Sequence, residues 1–252
     1  MDTSEFVSQN IYDRENFLTH YFEKFERSKE GDDCWEIMLN HLPKSVKGMD
    51  ILEIGCGMGF VANYLAEEGA ASVTGYDISE SMIELAAKGN AHNKNVKVGV
   101  QDMETIELPE QQYDLVISLY AVHYVLNYKR LIEIVSKSLK PGGKFVLFVE
   151  HPVFTSSIEQ PIWIERPSGN KAWTVSNYFT EGKRFTKWCS FENVQKVHRT
   201  VSTYIQTVLE QGLTLTHLEE FCPTPQQMLK KPEHVNNFNS PLNLNMTFTK
   251  NK

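Results

Sequence analysis

The run Ile51-Leu-Glu-Ile-Gly-Cys-Gly-Met-Gly-Phe60 constrains this chain more than any other stretch. A short apolar segment leads into three glycines at alternate positions, Gly55, Gly57 and Gly59, and a helix-prone segment follows. That is the pattern of a strand, a tight turn and a helix. Glycines belong in the turn because the backbone bends sharply there and a ligand comes close to it. A helix that starts at residue 60 aims its unpaired amides into the turn, and that end favours a carboxylate or phosphate. Val73-Thr-Gly-Tyr-Asp77 supplies a second strand, ending in an acid placed to accept hydrogen bonds from the two hydroxyls of a ribose. The two stretches together predict a pocket for a nucleoside-bearing ligand.

The glycine spacing excludes two common ligand classes. Phe60 stands where a dinucleotide fingerprint needs its third glycine, and no Gly-Lys-Ser or Gly-Lys-Thr follows to make a phosphate-binding loop. The net charge of -7 disfavours non-specific nucleic-acid binding, which depends on clustered Lys and Arg. The densest basic stretch, 183–199, also holds Glu192 and is expected to be a solvated face. The N-terminus, Met1-Asp-Thr-Ser-Glu-Phe6, has no apolar core of a secretory signal. The most apolar region, 115–128, is short and interrupted by Ser118, His123 and Asn127, so no membrane span is expected. Cys34, Cys56, Cys189 and Cys222 form no C-x-x-C pair. Neither a zinc site nor a disulfide framework is suggested, and a reducing cytoplasm fits. Cys56, inside the turn, is expected to pack rather than react.

With 252 residues the chain has room for one domain with an insertion and a large core. The N-terminal segment is predicted to be helical and amphipathic, with Phe17, Tyr21 and Phe25, then Trp35, Met38, Leu39 and Leu42, at helical spacing. Strands are then predicted over 50–54, 72–76, 96–100, 113–119 and 144–149, with helices over 60–68, 80–88 and 128–139. Ser79 is a candidate cap for the second helix, and Pro141-Gly-Gly143 is expected to stop the third. This alternation implies a parallel sheet covered on both faces. Aromatics and prolines dominate 151–197, an insertion expected to carry its own short elements. A helix over 202–211 and strands over 213–218 and 242–249 complete the chain.

Residues Glu53 to Gly59, an acid-x-Gly-x-Gly-x-Gly run, resemble the first motif of the class I S-adenosylmethionine (SAM) dependent methyltransferases. Gln101-Asp102-Met103, Tyr113-Asp-Leu-Val-Ile-Ser-Leu119 and Leu139-Lys-Pro-Gly-Gly143 resemble that family's later motifs, in the same order. Val149-Glu-His-Pro-Val-Phe154, Lys196-Val-His-Arg-Thr-Val-Ser-Thr-Tyr204, Glu219-Glu-Phe-Cys-Pro-Thr-Pro-Gln226, Tyr21 and Phe25-Glu-Arg-Ser28 look like a bacterial subgroup of undefined acceptor. That subgroup usually ends with Arg-Pro and a fully apolar strand. Here Ser240-Pro-Leu-Asn-Leu-Asn-Met-Thr-Phe248 interleaves asparagines, which suggests one wetter face.

The resemblance implies an α/β fold: a Rossmann-like, seven-stranded, mostly parallel sheet with helices on both faces and an antiparallel last strand. It divides a single domain into an N-terminal helical cap (1–43), a SAM-binding core (44–150), an insertion over the acceptor (151–197) and a C-terminal helix and strand pair (198–252). The cofactor residues it implies are Tyr21, Arg27, Glu53, Gly55, Cys56, Gly57, Asp77, Ile78, Met82, Asp102, Met103 and Leu119, with Asp102 receiving the adenine amino group.

Methyl transfer from a sulfonium is an in-line displacement with an activated leaving group, so the enzyme mainly supplies position and shielding. A general base is needed only where the acceptor must lose a proton. His123 after the fourth strand and His151 after the fifth are the candidates, because imidazole titrates near neutrality; either could instead pack or orient a neighbour. Tyr120, Tyr124, Trp173 and Tyr178 are candidate acceptor walls, with Trp163 and Phe179 completing an aromatic cap that could equally be the insertion's own core. His198 and Arg199 could reach the acceptor from the end of the insertion, but ordinary surface or core polar roles are expected first. Ser118-Leu-Tyr-Ala121 lacks the Pro-Pro-aromatic motif of amino-methylating DNA enzymes, and no acids cluster there for magnesium. The expected activity is transfer of a methyl group from SAM, with S-adenosylhomocysteine as product, to O, N or C of a small molecule. No metal, nucleic-acid or membrane partner is expected. A SAM-binding regulator without activity, or a methyltransferase acting on RNA or protein, are the alternatives.

Overall fold

A seven-stranded sheet forms the centre of the computed structural model, which describes residues 10–14, 17–18, 33–158, 163–167, 169, 171–188, 191–232 and 234–252. Tyr21, Phe25 and Arg27 lie outside the described residues. After helix α1 (Asp33–His41), strands and helices alternate: β1 (Asp50–Ile54), α2 (Phe60–Glu67), β2 (Ser72–Asp77), α3 (Glu80–Gly89), β3 (Val96–Val100), β4 (Tyr113–Leu119), α4 (Tyr128–Ser138) and β5 (Leu139–Glu150). The insertion holds α5 (Pro152–Thr155), a hairpin of β6 (Trp163–Glu165) with β7 (Lys171–Trp173), and a hairpin of β8 (Gly182–Trp188) with β9 (Phe191–His198). The chain then runs through α6 (Val201–Leu209), β10 (Leu213–Glu220), α7 (Pro225–Lys230), α8 (His234–Asn239) and β11 (Asn243–Lys250).

The strand order is β10-β11-β5-β4-β1-β2-β3. β3, β2, β1, β4 and β5 pair in parallel; β11 runs antiparallel between β5 and β10. Successive residues of a strand face opposite layers. Leu52 and Ile54 therefore join the core under α4 and α6, and Ile51 joins the one under α1 and α2. Helix starts are capped as expected: the Ser79 hydroxyl accepts from the Met82 amide at 3.1 Å.

Three local expectations change. β5 begins at Leu139, because Pro141, Gly142 and Gly143 form a bulge inside the strand, between the Tyr113–Leu139 and Leu115–Lys144 pairings. β11 has no wet face: Asn243, Asn245 and Thr247 are buried, because the strand sits inside the sheet and is covered on both sides. The basic stretch is a solvated face only in part: Lys183 and Lys187 are exposed, and Lys187 pairs with exposed Glu192. Arg184, Lys196 and Arg199 are buried; Arg184 donates to the Ser156 carbonyl at 2.9 Å, and Arg199 donates to the carbonyls of Val125 and Leu126 and lies over the rings of Tyr128 and Tyr204. Helices α7 and α8 were not apparent from periodicity, although Thr224-Pro-Gln-Gln227 forms a capping box.

Candidate active site

β1 pairs with β2 on one side and β4 on the other, and the chain winds outward from there in both directions. At such a switch point the connections leave a crevice outside the carboxyl ends of the strands. The glycine turn fills it. Gly55, Gly57 and Gly59 all have positive φ (75°, 52° and 71°), the left-handed region that side chains disfavour. A Cβ on Gly55 would stand 2.3 Å from the Cβ of Ala121, so the loop after β4 is seated directly against this glycine. Nothing lies within 4 Å of where a Cβ on Gly57 would be, so the space above the loop is open. Gly59 then begins α2.

Asp77, at the end of β2, is tied to this loop. Its carboxylate accepts from the Gly57 amide at 2.9 Å and from the Ser79 amide at 3.0 Å. Burial pushes its carboxyl above the ordinary aspartate range, and the Ser79 and Gly57 amides pull it back. Cys56 packs against Gly75, and burial raises its thiol far above the ordinary value, so it is inert at neutral pH. Glu53 is buried beside it in β1. Asp102 opens the turn after β3 and accepts from the Glu104 amide at 2.9 Å; Met103 packs on the core. Leu119 ends β4. Tyr120 follows with φ 56°, an uncommon conformation for a side chain of that size and one that recurs at functional sites.

A lid of side chains from three parts of the chain packs beside the loop, against Met58. Ile11 and Phe17 from the N-terminal segment, Met82 from α3 and Val194 from β9 form one buried cluster, with Tyr12, Met58, Tyr124 and Phe191 packed against it. Asp13 fixes the N-terminal segment to the start of α3 by accepting from the Ser79 hydroxyl and from the Glu80 and Ser81 amides. Burial acts to raise its carboxyl, but these bonds and one from Asn10 win and hold it near 2. Asn10 also reaches the carbonyl of Ile78 at 3.3 Å.

Behind the lid lies a buried polar group. His123 sits in a 3-10 turn (Val122–Tyr124) after β4 with its ring tilted on Tyr124, centroids 4.5 Å apart. Glu150 ends β5, and Lys196 of β9 donates to its Oε1. The Oε2 of Glu150 and the Nδ1 of His123 are buried without a hydrogen-bond partner. Burial lowers the His123 imidazole to about 4; Glu150 pulls it up, while Lys196 and Arg199 push it down. The ring is therefore neutral at working pH and keeps a lone pair.

The other candidates are placed differently. His151 caps α5: its Nδ1 accepts from the Val153 amide at 3.0 Å, so Nε2 carries the proton and donates to Glu220 at 2.7 Å. Both of its nitrogens are committed to these contacts. Trp173 donates to the Val153 carbonyl, stacks on Phe154 at 4.5 Å and meets Trp163 edge-on at 4.8 Å, an aromatic core of the insertion. The Tyr178 hydroxyl accepts from the Val201 amide, and Phe179 is 89% exposed. His198 is buried, accepting from Thr155 and donating to the Tyr178 carbonyl. The lid and the Glu150–Lys196 pair escaped the sequence reading. Glu150 and Lys196 both lie in stretches that carry the family resemblance, but nothing in their spacing pairs them.

Residues 51–143 match the family model of a methyltransferase domain. An uncharacterized protein of Haemophilus influenzae is 30% identical over 219 residues, covering 84% of this chain and 85% of its own length. The structure of an S-adenosylmethionine dependent methyltransferase from Mesorhizobium loti is 33% identical and superposes with a TM-score of 0.83 over 88% of this chain and all of that one. The chain belongs to the SAM-dependent methyltransferases. A ubiquinone biosynthesis O-methyltransferase of Coxiella burnetii is 35% identical over 102 residues, 40% of this chain and 43% of its own.

The methyltransferase's loop suits its cofactor. The open space above Gly57 and the carboxylate fixed beside it match a nucleoside with hydroxyls to donate. Gly55 and Gly57 would hold the chain of SAM, Asp77 its ribose and Asp102 its adenine end. SAM supplies, when bound, a methyl group already activated on a sulfonium. Asp77→Ala is expected to weaken SAM binding by about 1–3 kcal/mol, because it removes the ribose acceptor and leaves two backbone amides unpaired. Calorimetry with SAM checks this, and an unchanged affinity rejects the ribose assignment.

Proposed function

We propose that this methyltransferase acts on a small molecule, at an O, N or C atom, in the cytoplasm. The observation that supports this reading best is the buried polar group of His123, Glu150 and Lys196 behind an apolar lid. Such a buried polar group suits a compact acceptor with a polar group to satisfy the unpartnered Nδ1 and Oε2, and suits an extended macromolecule poorly. The local likeness to a quinone-pathway O-methyltransferase points the same way. The net charge of -7 argues against a nucleic-acid acceptor. No helix among the described residues is long and apolar enough to cross a membrane, in keeping with a cytoplasmic enzyme. His123 is the base where the acceptor must lose a proton, and Tyr124 forms part of the wall.

The test begins with isothermal titration of SAM and S-adenosylhomocysteine. Small phenols, amines and acids are then screened for S-adenosylhomocysteine release. Turnover on any of them supports the reading; methyl label recovered only in RNA or protein from an extract overturns it.

A further inference from the structure

A second polar cluster lies apart from the glycine loop, where the C-terminal end of α1 meets the edge strand β10 and its neighbour β11. His41, His217 and Glu219 are distant in sequence, yet one ligand atom from each lies within 4.8 Å of the others. His41 is 3% exposed. Its Nδ1 lies 2.8 Å from the Thr247 hydroxyl, and its Nε2 lies 3.3 Å from a Glu219 carboxylate oxygen. That second contact lacks hydrogen-bond geometry, so Nε2 is a buried nitrogen without a hydrogen-bond partner, aimed into the cluster. With the proton on Nδ1 donated to Thr247, a lone pair faces a carboxylate oxygen with nothing between them.

Asn245 is the independent sign. It stands opposite Glu219 in the β10–β11 pairing, and cross-strand partners share a face. It is fully buried, and neither its side-chain oxygen nor its nitrogen has a hydrogen-bond partner. A buried amide left so is costly unless something else meets it.

We propose that His41, His217 and Glu219 bind a divalent transition-metal ion of the zinc class. Two imidazoles and a carboxylate suit such an ion better than magnesium or calcium, which prefer all-oxygen sets. Three protein ligands leave a fourth position for water or for the Asn245 oxygen. Thr247 orients His41 in the way an outer hydrogen bond fixes a ligating imidazole. The His217 ring now stacks on His41 at 4.2 Å and 11°; it is exposed, and a turn about its side-chain bonds brings a nitrogen onto the ion. The ion would clip α1 to the sheet edge. His41 also meets Phe148 edge-on at 5.0 Å, and the Phe148 carbonyl accepts from the Tyr120 amide at the end of β4. The clip is thus one side chain away from the acceptor side. Neither a C-x-x-C pair nor an acid cluster announces this site in the sequence, which is why no metal was expected.

The test uses the full chain, stripped with chelator and titrated with Zn²⁺ and with Co²⁺. One equivalent bound, a visible Co²⁺ absorption band and a raised Tm are expected. His217→Ala and Glu219→Gln, both at positions exposed enough to spare the fold, should each weaken binding tenfold or more and remove the Co²⁺ band. Absence of stoichiometric binding overturns the proposal, and so does equal affinity in the double variant, which would place the metal elsewhere.

Discussion

His123→Ala is expected to lower turnover by about 10²–10⁴-fold, the usual contribution of a general base, while SAM affinity stays near wild type. The expectation rests on what surrounds the ring. Nδ1 is buried without a partner, and the imidazole is neutral. A proton taken from the acceptor would create an imidazolium next to the Glu150 carboxylate, which favours that charge; Lys196 and Arg199 oppose it. The pH dependence follows in sign. The base works only when unprotonated, so rate is lost as pH falls through its folded value of about 4. A solvated imidazole would give an acid limb near ~6.5 instead. The measurement is kcat and kcat/KM against pH, with the acceptor found by screening, for wild type, His123→Ala and His123→Gln. Equal turnover in all three assigns His123 to packing.

Much of the fold was legible because each element carries a local signal. The β1 turn is marked by glycines whose positive φ no other residue adopts as readily, and α3 by Ser79 at its cap. The parallel order follows from alternating apolar runs and helices. The errors arise where burial is decided by distant chain. Asn243 and Asn245 look like a wet face until β10 is seen to close the sheet outside β11. Arg184 and Arg199 look solvated until the carbonyls of Ser156 and Val125 converge on them. The site divides in the same way. Gly55, Gly57 and Asp77 sit on adjacent strand ends and could be read from the motif. The lid of Ile11, Phe17, Met82 and Val194, and the clustering of His123 with Glu150 and Lys196, are products of tertiary packing that no spacing encodes.

Lys196→Met is expected to cost about 3 kcal/mol of stability or more, a Tm loss of about 6–12 °C for a chain of this size. Lys196 is 4% exposed and the Glu150 side chain 16%, so removing the cation strands a mostly buried carboxylate; the residual exposure favours the lower end of the range. In the native protein, burial acts to raise Glu150, but Lys196 and His123 hold it below the ordinary glutamate value. Its contribution is therefore present above the unfolded value of ~4.3 and is lost as pH falls through the lower, folded one. Without Lys196 the desolvation wins and the folded value moves above the unfolded one. The penalty is then full at neutral pH and shrinks on acidification, because the carboxyl can protonate in place. Glu150→Gln combined with Lys196→Met removes both charges and should recover most of the loss, since an isolated buried charge, rather than the absent pair, is what destabilises. Thermal denaturation of the three proteins across pH decides the matter. A deficit that does not change with pH, or a double variant no more stable than Lys196→Met, would show that Lys196 acts through its aliphatic packing. With Lys196 gone, the His123 ring also loses a neighbour that lowers it. Glu150, protonated in place near the ring's own folded value, no longer raises the ring, and this larger effect wins. The acid limb of turnover should therefore move to lower pH in the same variant, which connects the stability of the pair to the chemistry beside it.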